Sequence, residues 1–233
     1  LEFTGDYPGV ELLKYYQLYR AMVRAKVAIL ELKQITQETK RSKWLAVYHQ
    51  YIHYGLRLIE NTTPRLLIMH GLSGSGKSYL ASQLAAALPA ICIRSDIERK
   101  RMFAGHSESS LYSRQSSDLI YHHLLEVGQR ILKSGHNVIL DATFLKHTDR
   151  ENAEMIARAA GSGFCILNCK APSELLKQRI RTRQGQRTDP SDADETVLEL
   201  QMNTHEPLQA NEKPQTITLK MTVSQDIPKL LSA

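Results

Sequence analysis

Cysteine and long apolar runs are both scarce in this chain of 233 residues, and each shortage excludes a class of protein. The three cysteines, Cys92, Cys165 and Cys169, cannot form the disulfide framework of a small secreted protein. No second Cys or His pair completes a zinc site around Cys165 and Cys169, so we expect structural roles for them. No apolar run approaches the roughly 20 residues of a membrane span, and no signal peptide is visible. We therefore expect a cytoplasmic chain with no membrane partner.

Acidic residues are fewer than basic ones, 24 against 30, which gives a formal net charge of +6. A basic balance of this size suits a kinase that handles polyanionic nucleotides, and it also suits a nucleic-acid binder. The charge alone favours neither class. Hydrophobic residues make up 42% of the chain and charged residues 23%, a composition typical of a folded domain with a buried core.

Residues 1–62 differ in composition from the rest of the chain, because they include seven of the ten tyrosines and the only tryptophan. Apolar residues recur there at helical steps of three and four in two series: Leu12, Tyr16, Tyr19, Val23, Val27 and Leu30, then Leu45, Tyr48, Ile52, Leu56 and Ile59. The polar segment 34–42 separates them, so we predict a helical hairpin. Since the chain begins at Leu1 rather than Met, we expect the hairpin to bridge to an upstream domain or to mediate a homodimer.

From Pro64 onward, short apolar runs alternate with helical stretches. The runs are residues 66–69, 91–94, 138–140, 164–167 and 216–219. The intervening helices are predicted at 77–87, 112–133, 148–160, 173–182 and 192–205. Strand–helix alternation predicts parallel strands joined by right-handed crossovers, with helices on both faces of the sheet. We therefore predict an α/β domain over residues 63–233.

A glycine-rich loop follows the first predicted strand. Residues 71–78 read Gly-Leu-Ser-Gly-Ser-Gly-Lys-Ser and fit the phosphate-binding pattern G-x-x-x-x-G-K-[ST], in the strand–loop–helix context that this pattern requires. Backbone N–H groups and the helix N-terminus would hold phosphates, with Lys77 as a charge and Ser78 as a Mg²⁺ ligand. The residues assigned to ATP here are Gly71, Ser73, Gly74, Ser75, Gly76, Lys77, Ser78 and Tyr79.

Carboxylates follow the second and third predicted strands, at the edge where ligands of such sheets bind. Asp141 follows an apolar strand, which is the pattern of a Walker B carboxylate and favours a role in binding Mg²⁺. The alternative is that Asp141 is only a turn residue. Asp96 then becomes the candidate general base, although Asp is also a common helix N-cap. Ser191 or Asp192 is the candidate cap of the last predicted helix.

Arginines cluster in the predicted helix 173–182 and just after it. Arg179 and Arg183 lie four residues apart and share a face, so we assign them to a lid that closes on the triphosphate, Arg183 as a catalytic residue, with a solvated basic helix face as the alternative. Arg181 and Arg187 fit a lid or a solvated basic face equally well. For the acceptor we select Arg99, Tyr112, Thr143 and Arg150, with Arg114 as a further candidate; a plain surface role is the alternative for each arginine and for Tyr112.

Together, the loop 71–78, Ser95-Asp96, Asp141-Ala142-Thr143 with Arg150, Ala171-Pro172 and the series from Arg179 to Ala193 resemble the P-loop kinase group. The resemblance is to polynucleotide kinase, gluconate kinase and zeta-toxin-like enzymes, and most of all to the ATP-binding half of bacterial bifunctional aminoglycoside phosphotransferase/ATP-binding proteins. It implies a five-stranded sheet of order 2-3-1-4-5 and an Asp after strand two as the base.

The N-terminal segment also resembles those bifunctional proteins, through Thr4-Gly5-Asp6-Tyr7, Tyr15-Tyr16 and the stretch 19–26. These match the last helices of the phosphotransferase-like half, whose catalytic motifs this chain does not contain, so no aminoglycoside kinase activity is implied.

Three functions stay open. The first is a kinase that uses ATP and Mg²⁺ to phosphorylate a small molecule that the sequence does not identify. The second is a 5′-hydroxyl polynucleotide or RNA kinase, which the charge permits, although no aromatic-interleaved basic stretch for stacking bases is present. The third is a regulatory ATP-binding module without transferase activity.

Overall fold

The computed structural model describes residues 1–60, 62–104, 114–186, 190–222 and Ile227, with the side chains of Arg114 and Gln186 excepted. The chain divides into two compact units. One comprises Asp6–Thr62, and the other joins Leu1–Gly5 to Thr63–Ala233.

The larger unit is built on five parallel strands in the order β2-β3-β1-β4-β5. They are β1 (Arg65–His70), β2 (Ala90–Arg94), β3 (Asn137–Asp141), β4 (Gly163–Lys170) and β5 (Thr216–Lys220). All five strands were predicted, and the sheet order that the resemblance implied is confirmed. β4 runs three residues beyond the predicted run, because Asn168, Cys169 and Lys170 continue the pairing.

Helices connect the strands on both faces of this sheet. They are α3 (Lys77–Ala87), α4 (Ser95–Met102), α5 (Arg114–Lys133), α6 (His147–Ala159), α7 (Ser173–Gln186) and α8 (Glu195–Thr204), with a short 3₁₀ helix at Ala210–Gln215. Sequence patterns missed α4 and the 3₁₀ helix. The predicted caps of α8 were wrong: the cap is Asp194, whose Oδ1 accepts a hydrogen bond from Val197 N at 2.8 Å.

Strand alternation divides the buried side chains between two layers. Leu80 and Leu84 of α3 pack against one face of the sheet, which presents Leu67, Met69, Ile139, Leu167, Cys169 and Leu219. The opposite face is covered by α5 and α6, which contact β1, β3 and β4 and bury Ile120, Leu124, Ile131, Ala153 and Ala157. The loops at the carboxyl ends of the strands are therefore carried by a rigid three-layer scaffold.

The smaller unit is the predicted hairpin, with α1 (Leu13–Gln34) and α2 (Glu38–Ile59) preceded by a 3₁₀ helix at Pro8–Leu12. Its buried seam differs from the predicted stripes. Small residues of α1 (Ala21, Ala25 and Ala28) are buried, and Gly55 of α2 lies so close to α1 that an added Cβ would sit 3.3 Å from Leu18 Cδ1. Tyr16 and Tyr19 are each 57% exposed. Close helix approach favours small side chains, so the aromatic stripe lies outside the seam. In the described part of the chain, no helix has the length and apolar character needed to cross a membrane.

Candidate nucleotide and phosphoryl-transfer site

The loop between β1 and α3 requires glycine for two steric reasons. Gly71 and Gly74 adopt φ values of +135° and +78°, which L side chains rarely adopt. A Cβ at Gly71 would lie 2.5 Å from Cys169 O, and one at Gly74 would lie 2.7 Å from Leu176 O. Both obstacles are backbone atoms, so neither can move aside, and the loop packs against the end of β4 and against α7.

Hydrogen bonds from other elements fix this loop. Gly71 N donates to Thr143 O at 3.1 Å, which ties the loop to the segment after β3. Ser73 N donates to Gln201 Oε1 of α8 at 2.9 Å. Sequence reasoning gave Gln201 no role, because nothing in its local pattern shows that α8 returns to the loop.

Lys77 is buried at the start of α3, with 8% of its surface exposed. Its Nζ donates a hydrogen bond to Leu72 O at 2.8 Å, across the loop that it is expected to serve. Burial lowers the pKa of Lys77, while the carboxylates of Asp141 and Asp96 act in the opposite direction. The ammonium group is thus held within the loop, near two carboxylates.

Asp141 lies at the carboxyl end of β3 and is 4% exposed. Burial raises the pKa of its carboxyl group above the ordinary value, although a hydrogen bond from Ser78 and the charges of Lys77 and Arg94 oppose that shift. Arg94 Nε lies 3.3 Å from Asp141 Oδ2. The Ser78 hydroxyl and the Asp141 carboxylate are therefore adjacent hard oxygen donors, the kind that Mg²⁺ prefers.

Asp96 is the second residue of α4. The N-cap position of α4 belongs to Arg94, and no side chain makes a capping hydrogen bond there in the described structure. The alternative reading of Asp96 as a helix cap therefore has no support. Its side chain lines the same cavity as Lys77, Ser78 and Asp141.

This cavity has a volume of about 410 Å³. It brings together most of the residues selected from the sequence: Ser73, Gly74, Gly76, Lys77, Ser78, Tyr79, Asp96, Arg99, Asp141, Thr143, Arg179 and Arg183. Gly71 and Ser75 do not line it. Residues to which the sequence assigned no binding or catalytic role also contribute, namely Ser95, Ser117, Tyr121, Ala142, Ser191, Ala193, Val197, Leu200, Gln201 and Thr204.

The α7 arginines divide by face. Arg179 donates to Gly74 O at 3.3 Å and to Met221 O at 2.7 Å, so it joins the loop to the end of β5. Arg183 donates to Ala193 O at 2.6 Å through Nη2, and its buried Nε has no hydrogen-bond partner among the described residues. Arg181 points away and pairs with Glu195, with Nε 2.6 Å from Oε1. Arg187 lies outside the described residues.

The acceptor assignments have mixed outcomes. Arg99 is buried and lines the cavity, as does Thr143, whose Oγ1 lies 3.1 Å from Tyr121 Oη. Burial raises the pKa of Tyr121 to about 12, so its hydroxyl stays protonated. Tyr112 and the side chain of Arg114 lie outside the described residues.

Arg150 does not line the cavity, which corrects its assignment to the acceptor. Its side chain is fully buried and pairs with Glu212, with Nε 2.6 Å from Oε1 and Nη2 3.1 Å from Oε2. Its Nη1 also donates to the carbonyl oxygens of Phe144 and Leu145 at 3.0 and 3.1 Å. Every contact is with the protein interior, so Arg150 supports the loop after β3.

Known proteins resemble this chain in sequence and in fold. An uncharacterized protein of Mycobacterium tuberculosis is 32% identical over 194 residues, which cover 80% of this chain and 38% of that protein. The chain therefore spans well under half the length of this relative. A candidate kinase from Chloroflexus aurantiacus is 26% identical with a TM-score of 0.58, covering 73% of this chain and 96% of its own.

The APS kinase of Mycobacterium tuberculosis, solved in complex with AMPPNP and APS, is 18% identical with a TM-score of 0.53. The match covers 73% of this chain and 94% of that one, and it shows the shared P-loop kinase fold. Residues 66–208, which hold the phosphate loop, both strand-end carboxylates and the α7 arginines, match the AAA domain family. The chain therefore has a P-loop kinase fold and belongs to the AAA domain family.

Proposed function

We propose that this chain is an ATP-dependent kinase that transfers the γ-phosphoryl group to a hydroxyl of a small molecule. One observation carries the proposal: Asp96 and Asp141, two carboxylates in different environments, line one cavity with Lys77. Asp141, which accepts a hydrogen bond from Ser78, can serve as a Mg²⁺ ligand. Asp96, which lacks that hydrogen bond, can serve as the general base. A nucleotide-binding module without chemistry needs only the first of them.

The loop end of the cavity fits a triphosphate with Mg²⁺. Backbone N–H groups of residues 71–78 and the start of α3 supply positive electrostatic potential, and Lys77 adds a full charge. Ser78 and Asp141 are the oxygen donors that would hold Mg²⁺, which would supply charge neutralisation on the phosphates. The described residues contain no cluster of three or more His, Cys, Asp or Glu side chains suited to a metal, so the proposed site relies on one carboxylate and one hydroxyl.

The proposed transfer is an in-line displacement. The acceptor hydroxyl oxygen forms a bond to the γ-phosphorus while its proton passes to Asp96, and the bond from the γ-phosphorus to the bridging oxygen breaks, leaving ADP. Lys77 and Arg183 stabilise the negative charge on the transferring oxygens. Arg183 suits this role because it lines the cavity together with Lys77.

The acceptor end of the cavity is polar. We assign to it Arg99, Ser117, Tyr121 and Thr143, all of which line the cavity. Tyr121 is fixed, because its hydroxyl also accepts a hydrogen bond from Phe144 N at 3.0 Å. A small hydroxylated acceptor fits this surface better than a stacked nucleobase, since the only aromatic side chains among the described lining residues are Tyr79 and Tyr121.

We further infer that the hairpin Asp6–Thr62 is the tail of an upstream phosphotransferase-like domain, as in the bifunctional aminoglycoside phosphotransferase/ATP-binding proteins. The matched relative is much longer than this chain, which agrees with a second domain. The exposed tyrosines of α1 also agree, because a large apolar stripe is normally covered by a partner.

A transfer screen tests the function directly. The protein is incubated with γ-³²P-labelled ATP and Mg²⁺, together with separate pools of metabolites and of 5′-hydroxyl oligonucleotides. We expect label to enter one metabolite pool with the wild type and to be strongly reduced with Asp96→Asn. Label in the oligonucleotides would instead support a polynucleotide kinase, and ATP binding with no transfer to either pool would support a regulatory module.

A further inference from the structure

A second cavity, of about 440 Å³, is lined by residues of β1, β4 and β5 and shares no lining residue with the nucleotide cavity. Its polar lining includes His70, Asn168, Lys170, His205, Lys213 and Thr218. His70 and Asn168 are paired in register, so they share a face of the sheet. Their strand neighbours Met69 and Cys169 pack toward α3, so His70 and Asn168 point to the opposite face. The second cavity is therefore separated by the sheet from the helix that carries Lys77.

His70 lines this cavity and contains a buried polar atom that has no hydrogen-bond partner among the described residues. The residue is 6% exposed, and its Nδ1 lies 2.9 Å from Asn168 Oδ1. Asn168 in turn donates through Nδ2 to Thr218 Oγ1 at 3.2 Å. Since an amide oxygen can only accept, His70 Nδ1 carries the proton of this hydrogen bond.

The second ring nitrogen of His70 is therefore a free acceptor. Burial lowers the pKa of His70 to about 4, so the ring is neutral near pH 7. Its Nε2 then bears a lone pair, and it has no hydrogen-bond partner among the described residues. A buried acceptor of this kind is costly to leave unpaired. A ligand hydroxyl group would satisfy it.

The remaining polar lining is basic. Lys170 and Lys213 line the cavity, and the described lining includes no Asp or Glu. Both lysines are exposed and make no ion pair with the described residues within 4.0 Å. Two ammonium groups beside a hydroxyl acceptor favour an anion that also carries a hydroxyl group.

A smaller cavity of about 230 Å³ links this region to the phosphate loop. It shares His70, Asn168, Lys170 and His205 with the second cavity, and it is also lined by Gly71, Leu72 and Ser75. Ser75 Oγ is buried there with no hydrogen-bond partner among the described residues. Leu72 O accepts the hydrogen bond from Lys77. A displacement of the Leu72 backbone would therefore move the Lys77 ammonium group in the nucleotide cavity.

We propose that the cavity at His70, Lys170 and Lys213 is a second binding site, for a small hydroxylated anion of the phosphate-monoester class, and that its occupancy alters nucleotide affinity through the phosphate loop. The ligand is not the phosphoryl acceptor, because the sheet separates this site from Asp96 and Asp141. Linkage requires that the nucleotide alter the affinity for this ligand by the same factor.

Isothermal titration with glycerol 3-phosphate tests the site in protein saturated with Mg-AMPPNP, which fills the nucleotide cavity. We expect saturable binding by the wild type and roughly tenfold or greater weakening in Lys170→Ala/Lys213→Ala, because both charged contacts are lost. The matched control, Lys133→Ala/Arg158→Ala, removes the same charge at exposed positions outside both cavities and should bind like the wild type. Inorganic phosphate, which offers no alcohol hydroxyl, should bind more weakly.

His70 gives an independent readout. Its Nε2 NMR resonance should shift on titration in the wild type and stay unchanged in Lys170→Ala/Lys213→Ala. Absence of saturable binding or equal loss in both double variants would overturn the second site, and an AMPPNP affinity that glycerol 3-phosphate leaves unchanged would overturn its coupling to the nucleotide. Failure to bind AMPPNP would instead count against the proposed kinase function, and the same titration on nucleotide-free protein would still decide the second site.

Discussion

Arg150 of α6 and Glu212 of the last 3₁₀ helix form a two-point ion pair inside the protein, with N–O distances of 2.6 and 3.1 Å. The same carboxylate accepts a hydrogen bond from Gln209 N at 2.7 Å, and the same guanidinium donates to Phe144 O. The pair therefore joins the loop after β3 to the segment that leads into β5. Through Thr143, that loop also accepts the hydrogen bond from Gly71 N.

Breaking this pair should destabilise the fold rather than weaken acceptor binding. We expect Arg150→Ala to lower the free energy of unfolding by roughly 3–5 kcal/mol, because it leaves the buried Glu212 carboxylate without its cation. Urea unfolding measures this. Arg158→Ala removes an exposed arginine of the same helix, whose pair with Glu154 should be worth about 1 kcal/mol or less. A stable Arg150→Ala protein with weakened acceptor binding would restore the role that the sequence suggested.

The two strand-end carboxylates should give different phenotypes. Asp96→Asn should leave ATP affinity near that of the wild type and lower kcat by roughly 10²–10⁴, the scale for a lost general base. Asp141→Asn should instead raise the Mg²⁺ concentration required for activity. Steady-state kinetics with varied ATP and Mg²⁺ distinguish them, and ATP hydrolysis serves as the assay until the acceptor is found. Reversed phenotypes would exchange the two roles.

Arg183 and Arg181 form a matched pair on α7. Arg183→Ala should lower turnover by about 10² while changing ATP affinity less, because it removes a donor that meets charge developing in the transition state. Arg181 lies on another face and pairs with Glu195, so Arg181→Ala should retain nearly wild-type kinetics. Weakened ATP binding with full turnover at saturation would make Arg183 a simple nucleotide-binding residue.

The strands and the phosphate loop could be predicted because local patterns encode them. Continuous apolar runs marked the buried parallel strands, and Gly74 had to be glycine because of its φ and its contact with Leu176 O. The helices 77–87 and 114–133 also correspond to predicted helical stretches, the second of which was predicted from residue 112. The sheet order did not follow from such patterns; it came from the resemblance, and the pairing of β1 with β3 and β4 confirms it.

Other features depend on contacts between distant segments, and local patterns do not report them. Gln201 reaches the loop only because α8 folds back over it. The sequence indicated a surface residue or a substrate ligand at Arg150, because its partner Glu212 lies 62 residues later in the chain. Periodicity selected the tyrosines of α1 as its packed face, whereas the packed seam uses the small residues Ala21, Ala25 and Ala28, which allow the two helices to approach closely.

His70 should make stability depend on pH in a defined window. Its pKa in the folded protein is about 4, below the value of about 6.5 expected for an unfolded chain. The unfolded state therefore binds the proton first as pH falls. Neutral His70 contributes fully to the free energy of unfolding above pH 6.5. This contribution is lost progressively as pH falls toward 4, and the free energy of unfolding changes by roughly 3 kcal/mol in total.

Urea unfolding at several pH values between 7 and 4 measures this contribution. His70→Gln should show a shallower loss of stability across that window than the wild type, because glutamine does not titrate. His122→Gln, at an exposed position of α5, is the control and should follow the wild-type curve. Parallel curves for the wild type and His70→Gln would mean that His70 titrates normally in the folded protein.

The last prediction concerns the hairpin. Its tyrosines at positions 15, 16 and 19, together with Met22 and Ile59, are exposed, and exposed apolar side chains in such number promote association. We therefore expect the full 233-residue chain to dimerise through Asp6–Thr62, and a shortened chain beginning at Thr63 to remain monomeric. The shortened chain should still fold and bind ATP, because the sheet, the loop and both carboxylates lie in the other unit.

Light scattering and ATP titration on both chains decide the matter. Truncation also removes the carbonyl oxygens of Leu1 and Glu2, which accept hydrogen bonds from Arg101, so a loss of about 1–2 kcal/mol in stability is expected. In the full chain, Tyr16→Ser/Tyr19→Ser provides a second test, since it makes the exposed stripe polar without shortening the protein. A monomeric full chain would contradict dimerisation, and an unfolded shortened chain would show that the kinase fold requires part of residues 1–62.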